Sequence, residues 1–109
     1  MTPESKLKDE VKATLDKMGL FYRRMQSGKL VIGRRAIYLG PEGTADFVVY
    51  RHRRPPEWIE LKAEGQKTKK EREAAQAAFA EDVRALGHRY QVCKSVEDVV
   101  EFLNTGDAA

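Results

Sequence analysis

Apolar residues recur along this chain at two spacings, and the spacings divide it into elements. Leu7, Val11, Leu15 and Met18 repeat at helical intervals, which lines one face of a helix. Thr2-Pro3-Glu4 just ahead supplies a start: a capping hydroxyl, a proline at the first helical position and an acid suited to the helix dipole. Gly19 supplies the stop. Residues 20–22 are short, apolar and aromatic, and lead into a turn at Gln26-Ser27-Gly28. Leu30-Val31-Ile32 and Ala36-Ile37-Tyr38-Leu39 read as two short strands joined around Gly33-Arg34-Arg35. A turn at Gly40-Pro41-Glu42-Gly43 precedes a β-rich run over 44–50. Residues 51–56 form a basic loop closed by two prolines, and a strand follows over 57–63. Consecutive strands joined by a short loop predict an antiparallel hairpin.

The helical spacing then returns. Ala75, Phe79, Val83 and Leu86 make one stripe, bordered by Gln76 and stopped by Gly87. Thr68-x-x-Glu71 has the spacing of a capping box at its start. Tyr90-Gln91-Val92-Cys93 is a further strand, and Ser95 caps a last helix over 96–104, with Val99, Phe102 and Leu103 on its apolar side. The order is helix, two or three strands that include a hairpin, helix, strand, helix. It predicts an α/β fold, a small mixed sheet flanked by helices, in a single domain over 1–104 with a frayed tail at 105–109.

Composition narrows the class. With 41% hydrophobic and 34% charged residues, the chain suits a soluble globular domain. No apolar run approaches the roughly 20 residues that span a bilayer, and the first residues lack a secretory layout. Cys93 is the only cysteine, which excludes an internal disulfide and a cysteine-based zinc site and makes a reducing cytoplasm the expected compartment. The net charge is +3, so distribution matters more than sum. Arg23, Arg24, Arg34, Arg35, Lys67, Lys69 and Lys70 are candidate phosphate contacts, with Arg51, Arg53 and Arg54 in the loop between them. Clustered bases suit a polyanion such as nucleic acid. A solvated surface is the plainer explanation of the same residues.

Trp58-Ile59-Glu60-Leu61-Lys62 changes that balance. Side chains two apart on a strand share a face, so Glu60 and Lys62 point together while Ile59 and Leu61 point into a core. The predicted hairpin brings the start of one strand to the end of the other, and Asp46 with it, near Glu60 and Lys62. Two carboxylates suit Mg²⁺, which keeps much of its water. A backbone carbonyl at Leu61 adds a possible ligand, and a nearby lysine orients water and offsets negative charge. A solvated ion pair across two strands is the alternative.

Gly43-x-x-Asp46 followed by Glu60-x-Lys62 resembles the PD-(D/E)xK nuclease core. The surrounding order, from a helix bearing Glu4 to Gln76 on the helix after the Glu60–Lys62 strand, is similar to that of small stand-alone VRR-NUC proteins. The resemblance implies a restriction-endonuclease-like core. It makes Asp46 and Glu60 metal-binding acids, Lys62 the catalytic lysine, Glu4 an assisting metal residue and Gln76 a neighbour of the site. It also implies Mg²⁺ or Mn²⁺ as cofactor, DNA as substrate, branched forms such as four-way junctions among it, and a homodimer. The chain departs from the family pattern at Val92-Cys93-Lys94-Ser95, where only one base is kept. A nucleic-acid-binding module of the same fold without catalysis is the alternative reading.

Overall fold

Two of the three helices begin where the sequence offers a cap. In the computed structural model, which describes residues 2–105, α1 spans Pro3–Lys17 and α3 spans Val96–Asn104. Thr2 Oγ1 accepts the Ser5 N–H and Ser95 Oγ accepts the Asp98 N–H, both at 3.1 Å. Each bond satisfies a backbone donor that the helix start leaves free. The third helix, α2 over Lys70–Ala85, departs from the expected capping box. Lys69 holds extended backbone geometry, so the helix starts one residue later than Thr68 would need, and no side chain caps it. The predicted tail beyond Thr105 lies outside the described residues.

Five strands, rather than two or three, lie between α1 and α2: β1 (Phe21–Arg24), β2 (Gly28–Ile32), β3 (Arg35–Gly40), β4 (Phe47–Tyr50) and β5 (Glu57–Leu61). A sixth, β6 (Arg89–Cys93), follows α2. The main sheet has the order β1-β4-β5-β6. Its β1–β4 and β4–β5 pairs are antiparallel, and β5–β6 is parallel with α2 as the crossover. β2 and β3 form a separate ribbon joined at Gly33-Arg34. The predicted β4–β5 hairpin is present, with Phe47 opposite Ile59 and Val48 opposite Trp58.

Strand alternation sets the layers. Ile59 and Leu61 join Phe47, Val49, Leu15 and Phe102 in a core against α1 and α3. Trp58 faces the other way, onto Ala80, Val83, Phe79 and Tyr90 beneath α2. The result is a sheet between two helical layers. Met18 and Leu86, expected on the helical stripes, are 41% and 73% exposed. Both lie past the last turn of their helices, and Ala80 takes the buried place on α2. Cys93 is fully buried, and burial followed by the charge of Asp98 pushes its thiol up to about 12. It is an inert core residue.

Arg51 is part of the frame, not of a free basic loop. It grips Glu57 with Nε to Oε1 at 2.6 Å and Nη2 to Oε2 at 2.8 Å, and Arg89 pairs with the same carboxylate. Both guanidiniums also donate to the end of α3, Arg51 to Leu103 O and Arg89 to Phe102 O, each at 2.8 Å. α3 carries no base in its own last turn, so these two arginines satisfy its terminal carbonyls and meet its dipole.

Among the described residues, no helix is long and apolar enough to cross a membrane.

Candidate active site

The site is built where β4 begins and β5 ends, and a glycine lets α2 reach it. Gly43 has φ 87°, and a Cβ there would stand 2.3 Å from Ala75 O and 2.9 Å from Gln76 N. Only a residue without a side chain admits the α2 backbone so closely. Three residues later comes Asp46, one position before β4. Carried one step past its last pair, the hairpin register sets Asp46 opposite Glu60.

Asp46 is fastened rather than free. Its Oδ2 accepts the Leu61 N–H at 2.7 Å. Its Oδ1 lies 3.2 Å from Lys8 Nζ, which lies 3.4 Å from Glu4 Oε1. Glu60 is 3% exposed, and Gln76 Nε2 donates to its Oε2 at a long 3.5 Å. Burial, then the negative charge of Asp46 and a hydrogen bond shared with it, push the Glu60 carboxyl up to about 9. Arg72 and Lys8 pull more weakly the other way. Two like charges brought together out of water cannot both ionise without a cation.

Two cavities open beside the neighbours of Glu60. One of about 160 Å³ is lined by Lys8, Arg24, Asp46 and Arg72 among others. The other, about 200 Å³, is lined by Lys62, Glu73, Gln76 and Tyr90 among others. Asp46 joins Glu60 to the first and Gln76 joins it to the second. Lys62 thus shares a cavity with Gln76, and Asp46 lines the other. A third cavity of about 370 Å³ carries Lys67, Lys69 and again Arg72.

The structure brings Asp46, Glu60, Leu61 and Gln76 together, with Lys62 and Arg24 on the flanking walls. Glu4 reaches them through Lys8. For Leu61 the observed contact is made by its N–H. Arg34 and Arg35 lie at the turn of the β2–β3 ribbon, apart from the main sheet. Arg23 is exposed, with its guanidinium 4.4 Å from the centre of the Phe21 ring. Lys70 is exposed at the first position of α2. Trp58 belongs to the core and donates to His88 Nδ1 at 3.0 Å, which gives that histidine a structural partner. Sequence reasoning missed Lys8 and gave Arg72 no role. Each lies one helical turn from a residue that was singled out, Lys8 from Glu4 and Arg72 from Gln76, and that spacing was the available signal.

Among the described residues, no group of three His, Cys, Asp or Glu is placed to hold an ion. The donors are a pair, Asp46 and Glu60. One or two carboxylates with water completing the shell is the usual Mg²⁺ arrangement, and the proton on Glu60 is one that a cation would displace. The residues fit such an ion.

No family model matches the sequence, and no curated protein does. A solved structure described as a VRR_NUC domain matches with a TM-score of 0.63 at 20% sequence identity, covering 97% of this chain and 99% of that one. The chain has the VRR_NUC fold. Within the VRR_NUC fold as this chain builds it, the buried acid pair sits at the junction of β4 and β5, with α2 over one side and α1 supplying Lys8.

Proposed function

We propose that this protein is a divalent-metal-dependent DNA endonuclease. The observation that carries the reading is the buried Asp46–Glu60 pair. Asp46 is oriented by the Leu61 N–H, and the carboxyl of Glu60 is held up to about 9 by burial and by Asp46. Two buried acids side by side cost stability and are unfavourable to phosphate, so a module that only bound DNA would gain nothing from them.

Asp46 and Glu60 would hold Mg²⁺ or Mn²⁺, with the Leu61 carbonyl as a further ligand and Glu4 assisting through water. Such an ion would supply positive charge at the phosphate and lower the pKa of water near it. Lys62 orients the attacking water, and Gln76 steadies the Glu60 carboxylate. Water attacks phosphorus in line and the 3′ oxygen leaves, giving 5′-phosphate ends. Arg24 lines the cavity of Asp46, and Lys67 and Lys69 line the one that shares Arg72 with it; these three contact the phosphates around the cut, with Arg23, Arg34, Arg35 and Lys70 farther along the duplex.

The substrate we favour is branched DNA, four-way junctions included, cut by a homodimer whose two-fold axis presents two equivalent sites. Ile32 and Ile37, 60% and 43% exposed on one face of the β2–β3 ribbon, give a second copy apolar surface to cover.

Labelled linear duplex, flap and four-way-junction DNA, each with Mg²⁺ or with EDTA, test the proposal beside Lys62→Ala. Cleavage is expected with Mg²⁺ only, and Lys62→Ala is expected to lose it by about 10²–10⁴-fold. Cleavage in EDTA, or undiminished in the variant, overturns the mechanism. Binding without cleavage under any metal would favour the non-catalytic module. Sedimentation at micromolar concentration tests the dimer.

A further inference from the structure

Lys8 stands in an unusual place for a surface-helix lysine. Its ammonium is 3.2 Å from Asp46 Oδ1 and 3.4 Å from Glu4 Oε1. The Glu4 contact is an ordinary i,i+4 pair within α1, but the Asp46 contact crosses to the start of β4 in the sheet. Asp46 Oδ2 is already engaged by the Leu61 N–H, so Oδ1 is the oxygen it has left for a cation. The Lys8 and Asp46 side chains are only 21% and 11% exposed, so water screens this pair less than a surface one. Lys8 also lines the cavity of about 160 Å³ that opens on Asp46, which gives the lysine chain room to turn aside.

We propose that Lys8 is a positioning residue that competes with the divalent cation for Asp46 Oδ1, and thereby sets the metal affinity of the site. The inference rests on the metal-dependent reading above. Without metal, the ammonium neutralises Asp46 and ties α1 to the start of β4 through Glu4. A metal ion on Oδ1 would sit about 2.1 Å from that oxygen, leaving two positive centres a few ångströms apart in a poorly screened place. The ammonium must therefore turn aside as the cation arrives. Glu4 is then released to the water shell of the ion, and Lys8, beside Arg24 and Arg72, is left facing the phosphate. Metal loading and readiness for DNA become one exchange of cations.

Mn²⁺ binding to the full chain without DNA, followed by electron paramagnetic resonance and calorimetry, tests this. Lys8→Met is expected to bind Mn²⁺ about tenfold more tightly than wild type, since removing a competitor worth about one power of ten returns that factor. Lys8→Arg keeps the competing charge and is expected to stay within about threefold of wild type. A thermal melt in EDTA is expected to fall for Lys8→Met and to hold for Lys8→Arg. Unchanged or weaker Mn²⁺ binding in Lys8→Met overturns the role of Lys8. Asp46→Asn separates the two levels. If it abolishes binding while Lys8→Met matches wild type, only the competition fails. If Asp46→Asn leaves binding unchanged, or neither wild type nor Lys8→Met binds at all, the metal-site reading fails.

Discussion

Glu57 and Glu60 lie on the same strand, both almost wholly buried, in opposite surroundings. Glu57 faces the α1–α3 layer, where Arg51 and Arg89 clasp its carboxylate and carry its charge on to the end of α3. Glu60 faces α2, where it meets another acid, Asp46, and an amide at long range. The first carboxylate is matched by its own protein and belongs to the frame. The second is left with a like charge beside it, and among the described residues no ion pair settles it, Arg72 and Lys8 acting on it more weakly. One strand thus carries a structural acid and an acid left for the proposed chemistry, distinguished by partners rather than by burial.

The widest separation between the two is in activity. On the proposed mechanism Glu60→Gln removes a metal ligand, and it is expected to reduce cleavage by a thousandfold or so, about 4 kcal/mol of barrier, with the fold intact by circular dichroism. Glu57→Gln is expected to cleave at near wild-type rate below its own melting point. A Glu57→Gln protein that is folded but inactive would erase the distinction.

Stability should separate them in the opposite sense. Glu57→Gln leaves two half-buried guanidiniums short of their shared charge partner, and urea unfolding is expected to show a loss of about 3 kcal/mol. The glycine that lets α2 approach comes next. Gly43→Ala forces a side chain into left-handed backbone and against Ala75 and Gln76. It is expected to cost at least about 1–2 kcal/mol and to lower activity by moving Gln76. A Gly43→Ala enzyme of normal stability and rate would show that the close approach is dispensable.

The last effect is one of pH, measured in EDTA. The Glu60 carboxyl is pushed up to about 9 from an ordinary 4.5, so the folded state keeps a proton that the unfolded chain has lost. Its contribution to stability is present at low pH and fades as pH rises from about 4.5 to about 9. Glu60→Gln mimics the protonated acid. It is expected to melt higher than wild type at pH 8 and to flatten that slope in a series of thermal melts. A slope that is unchanged in Glu60→Gln would assign it to other groups.

Much of the frame was legible before folding was considered. The starts of α1 and α3, the stripe through Leu7, Val11 and Leu15, the β4–β5 hairpin and the shared face of Glu60 and Lys62 all follow from neighbours in the chain. The periods of helix and strand then place their side chains. Residues 21–24 were harder, because four residues that pair only along β4 carry too little pattern to count as a strand. Thr68 was misleading because a capping box records spacing, whereas the backbone at Lys69 decides where the helix begins.

The sequence by itself determined which elements form and which charged residues the chain has to place: an acid before one strand, an acid and a lysine at the end of the next. Tertiary structure alone decided which charges found partners. Arg51 looked like part of a free basic loop and became a clasp on Glu57. Lys8 looked like a helix-surface lysine and became the neighbour of Asp46. Glu60 was left beside another acid. The reason is physical: helix and strand periods act over a few residues, while an ion pair depends on distances between segments far apart in the chain. Those distances exist only once α1, α2 and the sheet have packed.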